Sequence, residues 1–160
     1  MFKTATSSNK GWRIAFLALC GAAAPVFAHA GECPTKSQVA GATAPVDYAA
    51  KGVTDSVIGA IDLSSEPAHI ADRKLRLRKL VIEPGGVVPW HSHGDRPAII
   101  YIVSGEVTEY ASGCSVPIVH KTGDATPETH ATSHWWKNTG RETAILLSAD
   151  LLHDAADHNM

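Results

Sequence analysis

The chain has 160 residues, 44% of them hydrophobic and 19% charged, with a formal net charge of −2. That balance suits one globular domain with a single core and argues against a disordered chain. A mildly acidic sequence without a basic run gives no support for nucleic acid or an anionic membrane as partner.

Residues 1–30 read as a secretory leader. Lys3, Lys10 and Arg13 form a basic start, "IAFLALCGAAAPVFA" is apolar, and Ala28-His29-Ala30 is a small-x-small cleavage site. Cleavage is expected after Ala30, with Ala28 as the alternative. The apolar run is too short and alanine-rich for the roughly 20 strongly apolar residues of a membrane span. Leu19 is bulkier than the small residue that precedes a lipoprotein cysteine, which disfavours acylation at Cys20. The expectation is a periplasmic or secreted chain with no stable membrane anchor. Removing this leader takes the net charge to −5 and leaves Cys33 and Cys114. In an oxidising compartment these two can form one disulfide, tying the N-terminal segment to the loop "ASGCSVP". Two free thiols are the alternative.

Residues 31–52, rich in Ala, Gly and Pro, read as an irregular arm. Residues 53–152 form the expected β domain, followed by a flexible tail over 153–160. "SVIGAIDL" is the first predicted strand. "KLRLRKLVI" alternates Leu75 and Leu77 with Arg76 and Arg78, predicting a half-buried strand with a charged outer face. "EPGGVVP" reads as a turn. "AIIYIV" and "EVTEY" read as a hairpin across Ser104-Gly105. "VPIVH", the turn "KTGD", "HATSHWWKN" and "TAILLSADLL" follow, with a short helical turn allowed around "DLLHDAADH", residues 150–158. Short strands punctuated every eight to twelve residues predict an all-β sandwich or barrel.

Three histidines carry the chemistry. His91 and His93 are one residue apart, so a strand points both imidazoles to one face. His134, from a distant strand, can close a facial nitrogen triad that leaves coordination positions open for water or substrate.

Around these histidines the sequence resembles the cupin superfamily. Gly85, His91-Ser92-His93 and Gly105 follow its first motif. Gly123, His134 and Asn138-Thr139-Gly140 follow its second. The resemblance covers roughly residues 70–150 and implies a jelly-roll barrel, the double-stranded β-helix. Two positions depart from it. The glutamate of the first motif falls at Pro97 or Ala98, and the Pro and Gly of the second are replaced by Thr129 and Ala131. The missing carboxylate implies a three-histidine site, as in quercetin-dioxygenase-like cupins. One divalent transition metal is implied, iron (Fe2+) first, with Ni2+, Cu2+, Zn2+ or Mn2+ as alternatives. A more positive site favours anionic ligands and weakens retention of hard metals such as Mn2+.

Four residues are candidates to line a substrate site: Trp90, Trp135, Arg96 as a carboxylate clamp, and Tyr101. His130 and Glu128 are candidate acid–base residues or substitute ligands if they reach the barrel mouth, and solvated turn residues if they do not. The resemblance implies a dioxygenase-type oxidoreductase acting on a small aromatic or enolisable substrate. The alternatives are a non-catalytic binding protein of metal or small ligands and a Lewis-acid isomerase or lyase. A homodimer formed by exchanging edge strands, with "KLRLRKLVI" as the edge, is a further implication.

Overall fold

A computed structural model describes residues 31–153, so the expected leader and the tail beyond His153 lie outside the described residues. The elements in chain order are a 3-10 turn at Thr35–Ser37, then β1 (Lys51–Asp62), β2 (Arg73–Ser92), β3 (Ala98–Ser104) and β4 (Glu106–Ala111). β5 (Ile118–Lys121), β6 (Ala125–Glu128), β7 (Ser133–Lys137) and β8 (Ala144–His153) complete them. All eight strands join one antiparallel sheet in the order β5-β4-β7-β2-β8-β3-β6, with β1 paired to β2.

The expected closed barrel is corrected to a curled, open half-barrel. Among the described residues no ladder pairs β5 with β6 at the two ends of that order. The turn between them is engaged elsewhere: Gly123 N–H donates to Ile102 O, and Ile102 N–H donates to Asp124 O.

The curl comes from β2. Its first half, Arg73–Ile82, lies between β1 and β8, and its second half pairs with β7. Between them stands the segment expected to be a turn. Instead the chain stays extended through "EPGGVVP" and bends there. Gly85 has φ +76°, and a Cβ on Gly86 would stand 2.8 Å from the carbonyl oxygens of Glu83 and Gly52. The glycines permit the bend and the close backbone approach, so they redirect a strand without ending it.

The phase of β2 is opposite to expectation. Leu75 and Leu77 are exposed, whereas Arg78 is buried and Arg76 turns toward the interior. The physical reason is Asp150 on β8, the cross-strand partner of Arg76. Its buried carboxylate takes Arg76, Arg78 and Arg96 at 2.7, 3.4 and 3.1 Å. Burial alone would raise the Asp150 carboxyl, but these three guanidiniums hold it below the usual range. Asp55 on β1 also pairs with Arg78. The same parity then brings Leu80 and Ile82 into the core with Val88, Ile100, Ile102, Val107, Trp136, Ala144 and Leu146.

Two further expectations are corrected. β3 and β4 are not a hairpin: β3 pairs with β6 and β8, while β4 pairs with β5 and β7. Gly105 (φ +78°) lets the chain cross from one half of the sheet to the other. Nor is "KLRLRKLVI" an edge, since β1 and β8 occupy both its sides.

Apart from the 3-10 turn the arm is irregular through residue 50, and β1 begins at Lys51, earlier than expected. It is pinned by the Cys33–Cys114 disulfide (Cα–Cα 5.8 Å) and by Val39 N–H donating to Gly113 O at 3.0 Å. No described helix is long and apolar enough to cross a membrane.

Candidate metal centre

His91 and His93 end β2, and His134 stands on β7 directly opposite His91 in the register. Alternation along each strand turns all three imidazoles into the half-barrel. Their Nε2 atoms form a triangle with three 3.1 Å edges.

The other ring nitrogens explain this orientation. His91 Nδ1 lies 2.9 Å from Pro89 O and His93 Nδ1 lies 3.1 Å from Arg96 O. A carbonyl can only accept, so both Nδ1 atoms carry the proton. His134 Nδ1 donates to Glu109 Oε1 at 2.6 Å. In its neutral form each ring therefore turns a bare Nε2 lone pair toward the other two, an arrangement that is repulsive until a proton or a cation sits among them. Ligand bonds of about 2.1 Å from an ion over a 3.1 Å triangle subtend about 95°, which fits a facial set better than a tetrahedral one. These three residues are the cluster suited to a divalent metal ion.

The surroundings set their protonation. Burial, then the neighbouring His134, pushes the His91 imidazole down to about 3. Burial also opposes charge on His134, but its bond to Glu109 and the nearby Glu128 and Glu109 carboxylates outweigh that and raise it. Glu109 is buried, which would raise its carboxyl. Hydrogen bonds from His120 (2.8 Å) and His134 bring it instead down to about 2.

His91 and His93 line a small cavity of about 30 Å³, with Leu80, Val88, Ile100, Trp136 and Leu146 and the polar groups of Arg78, Ser148 and Glu128. Glu128 is buried on β6, with Oε2 2.8 Å from His93 Nε2. It is not a solvated turn residue.

The other expected lining and acid–base residues are elsewhere. His130 sits exposed on the turn after β6, closed by Thr132 N–H donating to Thr129 O, and does not reach the cavity. Tyr101 is on the outer face of β3, 45% exposed, because the inward parity belongs to Ile100 and Ile102. Arg96 is buried against Asp150 and absent from the cavity lining, and its carbonyl accepts from His93 Nδ1. Trp135 faces away from the cavity and stacks on Tyr110 at 4.0 Å, with Tyr48 of the arm against its edge. Trp90 is half-buried and absent from the lining.

Trp136 takes the place expected for Trp135. It stands two residues from His134, hence on the same face, with its indole N–H against that imidazole. The period of two carried that signal. Glu109 and His120 are the functional neighbours that sequence reading missed, since each is unremarkable until β4, β5 and β7 pair.

An all-β half-barrel holding a buried three-histidine cluster is the class this geometry defines. Residues 78–150 match the family model of the Cupin domain. The chain carries a cupin-superfamily domain whose histidine cluster can bind a metal, consistent with quercetin-dioxygenase-like cupins. No curated protein matches the sequence. Among solved structures, it is similar to a conserved Klebsiella pneumoniae protein with a double-stranded β-helix domain: 20% identity and TM-score 0.52, covering 69% of this chain and 86% of that one. That likeness concerns the fold. An RmlC-like cupin from Shewanella frigidimarina is 19% identical, with TM-score 0.49 over 66% of this chain and 80% of that one. A cupin domain from Schizosaccharomyces pombe is 13% identical, with TM-score 0.48 over 65% of this chain, which spans 66% of that domain's length.

Proposed function

We propose that this protein is an exported, metal-dependent oxidoreductase of the dioxygenase type, holding Fe2+ and acting on a small enolisable substrate. The observation that carries the reading is the triad of converging Nε2 atoms, two of whose histidines line a small, largely apolar cavity. A divalent transition metal there would supply Lewis-acid stabilisation of a substrate anion and a redox partner for O2.

The chain's own groups do the rest. Leu80, Val88, Ile100, Leu146 and Trp136 keep water from the reacting face. Arg78, itself held by Asp55 and Asp150, offers a fixed guanidinium to an anionic substrate. Glu128 is the one carboxylate in the lining, and an oxygen of it left free can accept the proton released on enolisation. A cavity of about 30 Å³ holds only a few water-sized groups, which favours a small enolisable molecule over an extended aromatic one. Export is supported by the leader pattern of residues 1–30 and by the Cys33–Cys114 pair, a bond suited to an oxidising compartment.

The test is oxygen consumption by Fe2+-loaded protein across a panel of small enolisable acids and diketones. Uptake that needs both metal and substrate, and disappears in His134→Ala, is the expected result. Turnover without oxygen would replace this reading by Lewis-acid isomerase or lyase chemistry. Tight binding without turnover would make the protein a metal or small-ligand carrier.

A further inference from the structure

We propose that Glu128, carried on β6, is a fourth protein ligand of the metal. It would restore from a neighbouring strand the carboxylate that Pro97 and Ala98 do not supply. This rests on the metal-binding reading of the triad.

Register is the first argument. Glu128 is the cross-strand partner of Ala98 in the β3–β6 ladder. Directly opposed residues of an antiparallel pair share a face, their Cβ atoms about 4.5–5.5 Å apart. A carboxylate moved from one partner to the other therefore enters the same space. The sequence alone does not reveal this exchange, because the two positions lie thirty residues apart in the chain.

Distances and satisfaction are the second. Glu128 is 3% exposed, with Oε2 2.8 Å from His93 Nε2 and Oε1 3.4 Å from His134 Nε2. Oε1 is buried without a hydrogen-bond partner. His93 donates its Nδ1–H to Arg96 O, so in the neutral ring its Nε2 and the Glu128 carboxylate meet as two acceptors. Two buried acceptors do not rest at 2.8 Å without a proton or a cation between them. One metal ion satisfies this contact and the three mutual Nε2 contacts together.

Glu128 flanks the His93–His134 edge of the triangle, where it would join the three histidines in holding the ion. The ligand set becomes three imidazoles and one carboxylate, which lowers the site's charge by one. It also improves retention of harder metals such as Fe2+ and Mn2+ over a histidine-only site.

Purified wild-type protein and Glu128→Gln, both stripped of metal, are titrated with Zn2+ against a chelating dye and with Co2+ by visible absorption. The expected outcome is one equivalent in both, with affinity lowered more than about tenfold in the variant and a changed Co2+ ligand-field spectrum. An infrared difference spectrum of wild-type protein with and without Zn2+ needs no variant, and should show a shifted carboxylate stretch. Equal affinity and spectrum in Glu128→Gln, with no carboxylate shift in the wild type, would overturn the proposal and leave Glu128 as a hydrogen-bond partner of His93. Failure of the wild type to bind either metal would overturn the triad reading as well, a result distinct from the first.

Discussion

Glu109→Gln tests how the protein holds His134 in place. The Glu109 carboxylate takes two ring protons in a buried site, from His134 at 2.6 Å and His120 at 2.8 Å. Glutamine keeps the shape but has one acceptor and one donor end. His120 can adjust, because its Nδ1 has no hydrogen-bond partner, and a switch of tautomer lets its Nε2 accept from the amide. His134 then keeps a neutral acceptor and loses only the charge assistance. Loss of a group that orients a metal-ligating histidine costs about 10–100-fold in affinity, and this retained acceptor places the expected loss at the lower end, about tenfold. Competition titration with Zn2+ measures it. Metal-free protein gives a second readout. The Glu109 carboxyl falls from 4.5 to about 2 on folding, on the order of 3 kcal/mol of stability. That contribution is present above pH 4.5 and is lost as pH falls toward 2. Urea unfolding between pH 5 and 3 should therefore show a flatter acid limb for the variant. Unchanged Zn2+ affinity together with an unchanged acid limb would refute the idea that Glu109 governs His134.

Replacing both Cys33 and Cys114 by serine opens a bond spanning 81 residues, for which chain entropy gives an upper limit of about 4.5 kcal/mol. A urea-derived loss below about 1 kcal/mol would mean that the arm is held by its other contacts. Asp150→Asn leaves Arg76, Arg78 and Arg96 facing a neutral amide, and about 3–5 kcal/mol of destabilisation is expected. A thermal midpoint equal to wild type would contradict it. Gly86→Ala forces a Cβ to 2.8 Å from two backbone oxygens, whereas Gly59→Ala meets nothing within 4 Å. The first should cost more than about 1–3 kcal/mol and the second should be nearly neutral by the same unfolding assay.

Local pattern determined a large part of this protein. The one-residue spacing of His91 and His93 set a shared face, because strand geometry repeats every two residues, and the resemblance of the second motif pointed to His134 as their partner. The all-β class followed from short apolar runs between turn residues. What the chain could not express locally was decided by neighbours across the sheet. Leucines alternating with arginines in β2 look like a buried apolar face, yet Asp150, more than seventy residues away, draws the arginines inward and turns Leu75 and Leu77 to solvent. Two glycines that resemble a turn became a bend, because β1, β7 and β8 hold the strand on both sides. Whether Glu128 reached the cavity or stayed on a solvated turn was decided only when β6 paired with β3. Spacing along a strand is set by the backbone and can be read from sequence, but which face is inward, and which distant carboxylate meets which cation, depends on partners that only folding brings into contact.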